Sequence, residues 1–408
     1  MRRAGPAVSA VYLQIEEPAR RRGSPPPRGG ALWQLGFRPF YLLAGALAAL
    51  SVPLWALQFS GWLPHGYLQG PLWHAHEMLF GFALAVIVGF LFTAGRNWSN
   101  QPTPTGRPLA ALVLLWLAAR VLVLTPYGWA AAAANVAFPL AAAAALARPL
   151  WAARNRRNYF FVGLLVLLAA AAALLHLQQL GVATVPAWAG PQLALDVVLF
   201  IMVVMAGRVL PMFTNNGVRG ARATRRPWLE RLALGSVLAL LAADLLPLPA
   251  AAVAGLAALA AAAHLERWLL WQPWTTLRTP IVWVLHAAYL WIPVHLALRA
   301  AALMGWVPAS AAAHALMVGA AGGLIIGMMT RTARGHTARP LRADRADVAC
   351  YLLVLGAALL RVGLPLLAPQ LLMLAVQASA MLWSAGFGLF VWRYLPVLTQ
   401  PRLDGRPG

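Results

Sequence analysis

The sequence predicts an all-α, polytopic integral membrane protein with about 12 transmembrane helices and both termini on the cytoplasmic side. Three observations carry that expectation. Of 408 residues, 61% are hydrophobic and only 10% are charged, which fits no ordinary soluble domain. Apolar runs close to the roughly 20 residues that cross a bilayer recur from end to end. All 32 basic residues are arginines, and they sit in alternate connections. Only Arg120, Arg299 and Arg361 fall on the outer side, a positive-inside bias that fixes orientation.

In chain order the spans are expected near 39–58, 74–95, 108–125, 128–147, 159–179, 188–209, 229–246, 249–271, 280–303, 310–330, 346–364 and 368–394. Arginine-bearing inner connections separate them in pairs: Arg96 and Arg107, Arg148 to Arg157, Arg208 to Arg231, Arg267 and Arg278, and Arg331 to Arg345. The seventh and eighth are divided only by Pro247 and Pro249. Residues 1–30 are rich in Arg and Pro and lack the apolar core of a cleavable leader, so a disordered cytoplasmic tail is expected there. The transmembrane domain then covers 31–396, and 397–408 form a short second tail.

The formal charge of +22 does not mark a nucleic-acid protein, because the arginines are dispersed rather than gathered on one face with aromatics. The single cysteine, Cys350, excludes an internal disulfide and a cysteine-rich metal site. No Walker loop, HExxH, nucleophile elbow or dinucleotide fingerprint is present.

The second span carries the densest chemistry. Trp73-His74-Ala75-His76-Glu77-Met78 leads into an uncharged run to Ala94, and titratable groups at the mouth of a span are functional candidates. From His76, small residues follow at +5, +9 and +13 (Gly81, Ala85, Gly89). From His314, Gly319, Gly323 and Gly327 repeat the layout. In a plain α-helix this stripe lies roughly 140–220° round from the histidine, free to pack on a neighbour as small residues do in lipid. The topology puts His74, His76, His314, His176 and His65 near the outer end. His295 falls just past the middle of the ninth span, and His286 and His264 lie nearer the cytoplasm. A layer of neutral imidazoles at one depth suits a haem or copper centre.

Each candidate has a plain counterpart. His264 and His176 read as hydrogen-bonded packing residues. His74 and His76 point about 160° apart on a helix, so both reach one metal only if His74 precedes the helix. Glu77 is a proton carrier, a partner orienting an imidazole, or a favourable first-turn charge. Asp196 is a proton site or a satisfied buried carboxyl. His286 shares a face with Tyr289. Arg120, Arg299 and Arg361 are partners for haem propionates or snorkelling helix ends. Asn215, Asn216 and His336 are candidates to line an inner cavity.

Gly36 to Phe40, Trp73 to Trp98, Gly207 to Asn216, Leu285 to Tyr289 and His314 to Pro340 together resemble the NnrS family. That resemblance implies an inner-membrane haem protein, with copper as a second metal, linked to nitric oxide, nitrosative stress and denitrification. Whether it acts as an enzyme is left open. On the family-like histidines, His76 and His314 are expected as axial ligands of one haem, with His74 and His286 for a second metal. His336 is a family-like histidine at the inner end. The layout is also analogous to the twelve-span core of haem-copper oxidases, although Asp196 stands where the sixth span of those enzymes supplies a copper-ligating histidine. The rival reading is a transporter for a metal, haem or a nitrogen-oxide-derived species, since internal repetition and midplane polar groups suit transporters equally. Besides lipid and nitric oxide or a related small molecule, no partner is implied.

Overall fold

The computed structural model describes residues 30–63, 67–186 and 188–405. His65 and nearly all of the expected N-terminal tail lie outside them. The described residues form helices and connections with no strand. Eleven helices are long and apolar enough to cross a membrane: α1 Phe37–Phe59, α2 Pro71–Ser99, α3 Gly106–Val123, α4 Gly128–Ala152, α5 Arg156–Gln179, α6 Ala189–Gly217, α8 Ala250–Leu270, α9 Pro280–Leu303, α10 Ala309–His336, α11 Arg345–Leu367 and α12 Pro369–Thr399. Between α6 and α8 lies α7, Pro227–Ala243, of 17 residues. At 1.5 Å per residue it is about 26 Å long, a little short of the roughly 30 Å hydrocarbon thickness. Each of the 12 expected spans therefore corresponds to a helix, and the seventh is the short one.

Neighbours in sequence pack side by side, and α12 returns to pack along α1. Prolines shape these contacts. Pro53 inside α1 has no N–H, so the carbonyl of Ala49 loses its helical donor. The Ser384 hydroxyl of α12 donates to it instead, and Trp383 Nε1 donates to the adjacent Ala48 carbonyl at 3.1 Å. In α6, Pro211 frees the Gly207 carbonyl in the same way, and Arg225 Nη1 reaches it at 3.3 Å. In α9 the helix is interrupted at Leu290, where Pro293 crowds the Tyr289 carbonyl.

The second span is the most enclosed. In its most apolar stretch 83% of residues are buried, against 33% in α3, so α2 keeps almost no lipid-facing side. The small stripe of α10 does what its spacing predicts. A Cβ on Gly319, Gly323 or Gly327 would press within 3 Å of Trp291, Ala288 or Leu285 respectively, all on α9. The expected boundary between domain and C-terminal tail at 396 falls inside α12, which runs on to Thr399.

Candidate functional site

Both α2 and α10 open with a short α-helical turn followed directly by a π-helical segment. Pro71–His76 precedes the π turn Glu77–Ala83, and Ala309–His314 precedes Ala315–Gly322. A third π segment, Leu359–Gly363, carries Arg361 in α11. Such bulges interrupt the regular hydrogen-bond ladder and recur at functional sites. They also change the phase of a helix, and with it the face on which each histidine lands.

The imidazole that meets His314 is His74. Their ring centres are 6.3 Å apart with planes 14° from parallel, and Trp55 stacks on the other side of His74 at 5.3 Å. His314 Nδ1 donates to the Ser310 carbonyl at 2.6 Å, which leaves its Nε2 as the nitrogen with a lone pair. His74 Nδ1 is buried without a partner. Two imidazoles on opposite sides of one metal ion, with bonds of about 2.0–2.1 Å, have centres roughly 6 Å apart. Ring stacking spans the same separation, so the uncommitted nitrogens, more than the distance, mark this pair as a donor set.

His76 goes elsewhere, and the expected pairing of His76 with His314 is corrected accordingly. His76 Nε2 lies 3.2 Å from His176 Nε2, and its Nδ1 lies 2.9 Å from Glu77 Oε1. Tyr67 sits 3.3 Å from His176 Nδ1. Burial pushes the pKa of the Tyr67 phenol up, keeping it a donor. One assignment of protons then satisfies the whole chain. Tyr67 donates to His176 Nδ1, His176 Nε2 to His76 Nε2, and His76 Nδ1 to Glu77. Both nitrogens of His76 are thereby engaged. Arg120 closes the far end, donating to Glu77 at 2.6 Å and to Asn135. This line of buried polar groups can orient a side chain or pass a proton.

A second arginine set aside for propionates is equally committed. Arg299 bonds Asp196 at 2.9 Å and also Asp244, and Gln192 bridges both carboxylates. Asp196 is thus a satisfied buried carboxyl. Tyr289 does not join His286. It bonds His264 Nδ1 at 2.6 Å and accepts from Arg267, and His264 Nε2 reaches the Ala233 carbonyl, in keeping with the packing reading of that histidine. His286 Nε2 meets Thr214 at 2.7 Å, while its Nδ1 is buried with no partner. His295 donates from Nδ1 to Ala312 and likewise keeps an unpartnered Nε2. Among the described residues no group of three or more His, Cys, Asp or Glu is arranged to hold a metal ion.

At the inner end the motifs converge on structure rather than a cavity. The Phe37 ring packs on His336 at 5.5 Å, and Arg331 lies over Phe213 at 3.8 Å. Asn215 clamps the backbone of Ala223 from both sides, and Asn216 is exposed. His336 lies about 33 Å along α10 from His314 at the helical rise, so it belongs to a different layer. Sequence reading placed His176 only as a hydrogen-bonded packing residue and missed Tyr67 and Asn135. Their signal was weak, since each is a lone polar residue in an apolar stretch and only the packing of α2 against α3, α4 and α5 unites them.

No curated protein matches the chain. The family described as NnrS protein matches residues 31–402, a range that takes in α1 to α12 and every histidine discussed above. The chain therefore belongs to the NnrS family.

Proposed function

We propose that this chain is a twelve-span protein of the bacterial inner membrane, with both termini in the cytoplasm, that holds haem between His74 and His314 and acts in nitric oxide metabolism or the response to nitrosative stress. The His74–His314 pair carries the reading: facing imidazoles from two spans, each with an uncommitted nitrogen. Ser310 fixes the His314 tautomer through its carbonyl, as metal-binding histidines require. Trp55 holds the His74 ring in plane. Bound there, haem iron supplies reversible binding of, and electron exchange with, a small diatomic molecule. The donor pair also suits a lone copper ion. The neighbouring cavity is about 160 Å³, below the roughly 300–1,000 Å³ of ordinary cofactor pockets, so a porphyrin requires α2, α10 and α11 to part around it. A second metal at His286 has one free nitrogen to support it and no clustered co-ligand. The oxidase-like arrangement of the second and tenth spans remains analogy.

Optical spectra and metal analysis of the purified protein test this. A Soret band is expected in wild type, lost in both His74→Ala and His314→Ala and kept in His264→Ala. A colourless protein from cells with ample haem, free of copper, removes the proposal and favours the transporter. Topology has its own check. A reporter fused after Gly181 is expected on the periplasmic side, and one that stays cytoplasmic overturns the orientation.

A further inference from the structure

The distribution of carboxylates leaves several part-buried arginines without an acidic partner, and Arg361 is the one that lines a cavity. The sequence has ten acidic residues, of which Glu16 and Glu17 lie outside the described residues. Every other one is already paired. Glu77 holds Arg120, Asp196 and Asp244 hold Arg299, and Glu230 holds Arg267. Glu266 holds Arg226, Asp344 and Asp347 hold Arg334, and Asp404 holds Arg402. Among the described residues Arg361 makes no hydrogen bond or ion pair, although it is only partly exposed. A part-exposed guanidinium without a protein partner keeps its N–H groups available to a ligand. This one sits on the π turn of α11, which packs against the Ala309–His314 turn of α10.

Arg361 also lines the cavity of about 160 Å³ at the junction of α10, α11 and α12. Ser310 is the other polar residue there, and Pro308, Val362, Pro365 and Leu372 supply apolar wall. The volume equals that of about five waters, enough for a compact anion. We propose that this cavity is an anion site, in which the Arg361 guanidinium holds a small planar oxyanion of the carboxylate type through paired N–H···O bonds. The planar fork of arginine matches two oxygens of one ligand, and the low-dielectric walls strengthen the attraction. The site stands on the unpaired charge and the cavity, and does not depend on a metal between the imidazoles. It is lined by Ser310, whose carbonyl accepts from His314.

Titration calorimetry of the full-length protein in nonionic detergent, with formate and then nitrate as probes, tests the site. Saturable formate binding is expected in wild type, weakened at least tenfold in Arg361→Gln and partly kept in Arg361→Lys, which preserves the charge. Unchanged gel filtration and thermal midpoint of Arg361→Gln certify that it is folded; if it is not, Leu372→Trp, which fills the cavity and leaves the charge, takes its place with the same expected loss. Loss of formate binding in phosphatidylglycerol nanodiscs means that lipid phosphate, which is not planar, takes the site, and overturns the proposal. Loss only in haem-loaded protein, with lower haem content in Arg361→Gln, identifies a porphyrin carboxylate. Wild type that binds neither probe in any of these preparations, or folded variants that bind as wild type does, overturns the proposal.

Discussion

Arg120→Met is expected to destabilise the protein by about 3–5 kcal/mol, the range for breaking a buried ion pair from one side. Glu77 is buried, and among the described residues Arg120 is the only arginine that bonds it. Removing the guanidinium leaves a carboxylate with the His76 N–H alone and also strips Asn135 of its donor. The interaction depends on a glycine. A Cβ at Gly81 would lie 2.9 Å from Arg120 Nη1 and 3.1 Å from Glu77 Oε2, so only the bare backbone lets Arg120 cross α2. Trp116, one turn before Arg120, anchors the same spot by donating to the Gly81 carbonyl at 3.1 Å. The double variant Glu77→Gln/Arg120→Met removes both charges, and recovery of more than half the loss is expected, a coupling that a double-mutant cycle reads directly. Thermal or denaturant unfolding in detergent measures it. If Arg120→Met unfolds within 1 kcal/mol of wild type, the pair is not a support of the fold.

That network also shows where the sequence stopped being informative. The spans, the enclosed character of α2 and the packing role of the α10 glycines follow from hydrophobic runs and small-residue spacing, which are local properties. The pairing of histidines does not. His76 and His314 occupy matching positions relative to their glycine stripes, and a uniform turn of 100° per residue would present them alike. A π turn follows each of them, unannounced in Glu77–Ala83 or Ala315–Gly322, and what separates the two is long-range packing, which brings His176 to His76 and His74 to His314. His176 looked like a lone imidazole in an apolar helix because its partners lie on α2 and in the connection before it. Arg120 and Arg299 were legible as exceptions to the positive-inside pattern. Their destinations, Glu77 and Asp196, were the two acids already named as candidates, each beside a plain alternative. Matching the exceptions of one sign to those of the other would have found both pairs.

Gly207→Ala is expected to be strongly damaging for a single methyl. A Cβ there would overlap Arg267 Nη2, so the guanidinium must move. Arg267 is 1% exposed and has nowhere equivalent to go. It donates to both oxygens of Glu230 at 2.9 and 2.6 Å, to the Val203 carbonyl at 3.0 Å and to Tyr289 at 3.2 Å, and Tyr289 in turn holds His264. Displacement leaves a buried cation short of its partners, again about 3–5 kcal/mol, and loosens α6, α7, α8 and α9 together. Gly235→Ala in α7 is the control, since a Cβ there meets nothing within 4 Å. It removes a flexible residue from a helix interior, so it is expected to be neutral or to stabilise by about 0.5–1 kcal/mol. Adding Arg267→Met and Glu230→Gln to Gly207→Ala removes the charges that the methyl strands, and yield in the membrane should recover. Equal accumulation and equal melting of Gly207→Ala and Gly235→Ala would mean that α6 and α8 do not meet through that glycine, and the placement of Arg267 would fall with it.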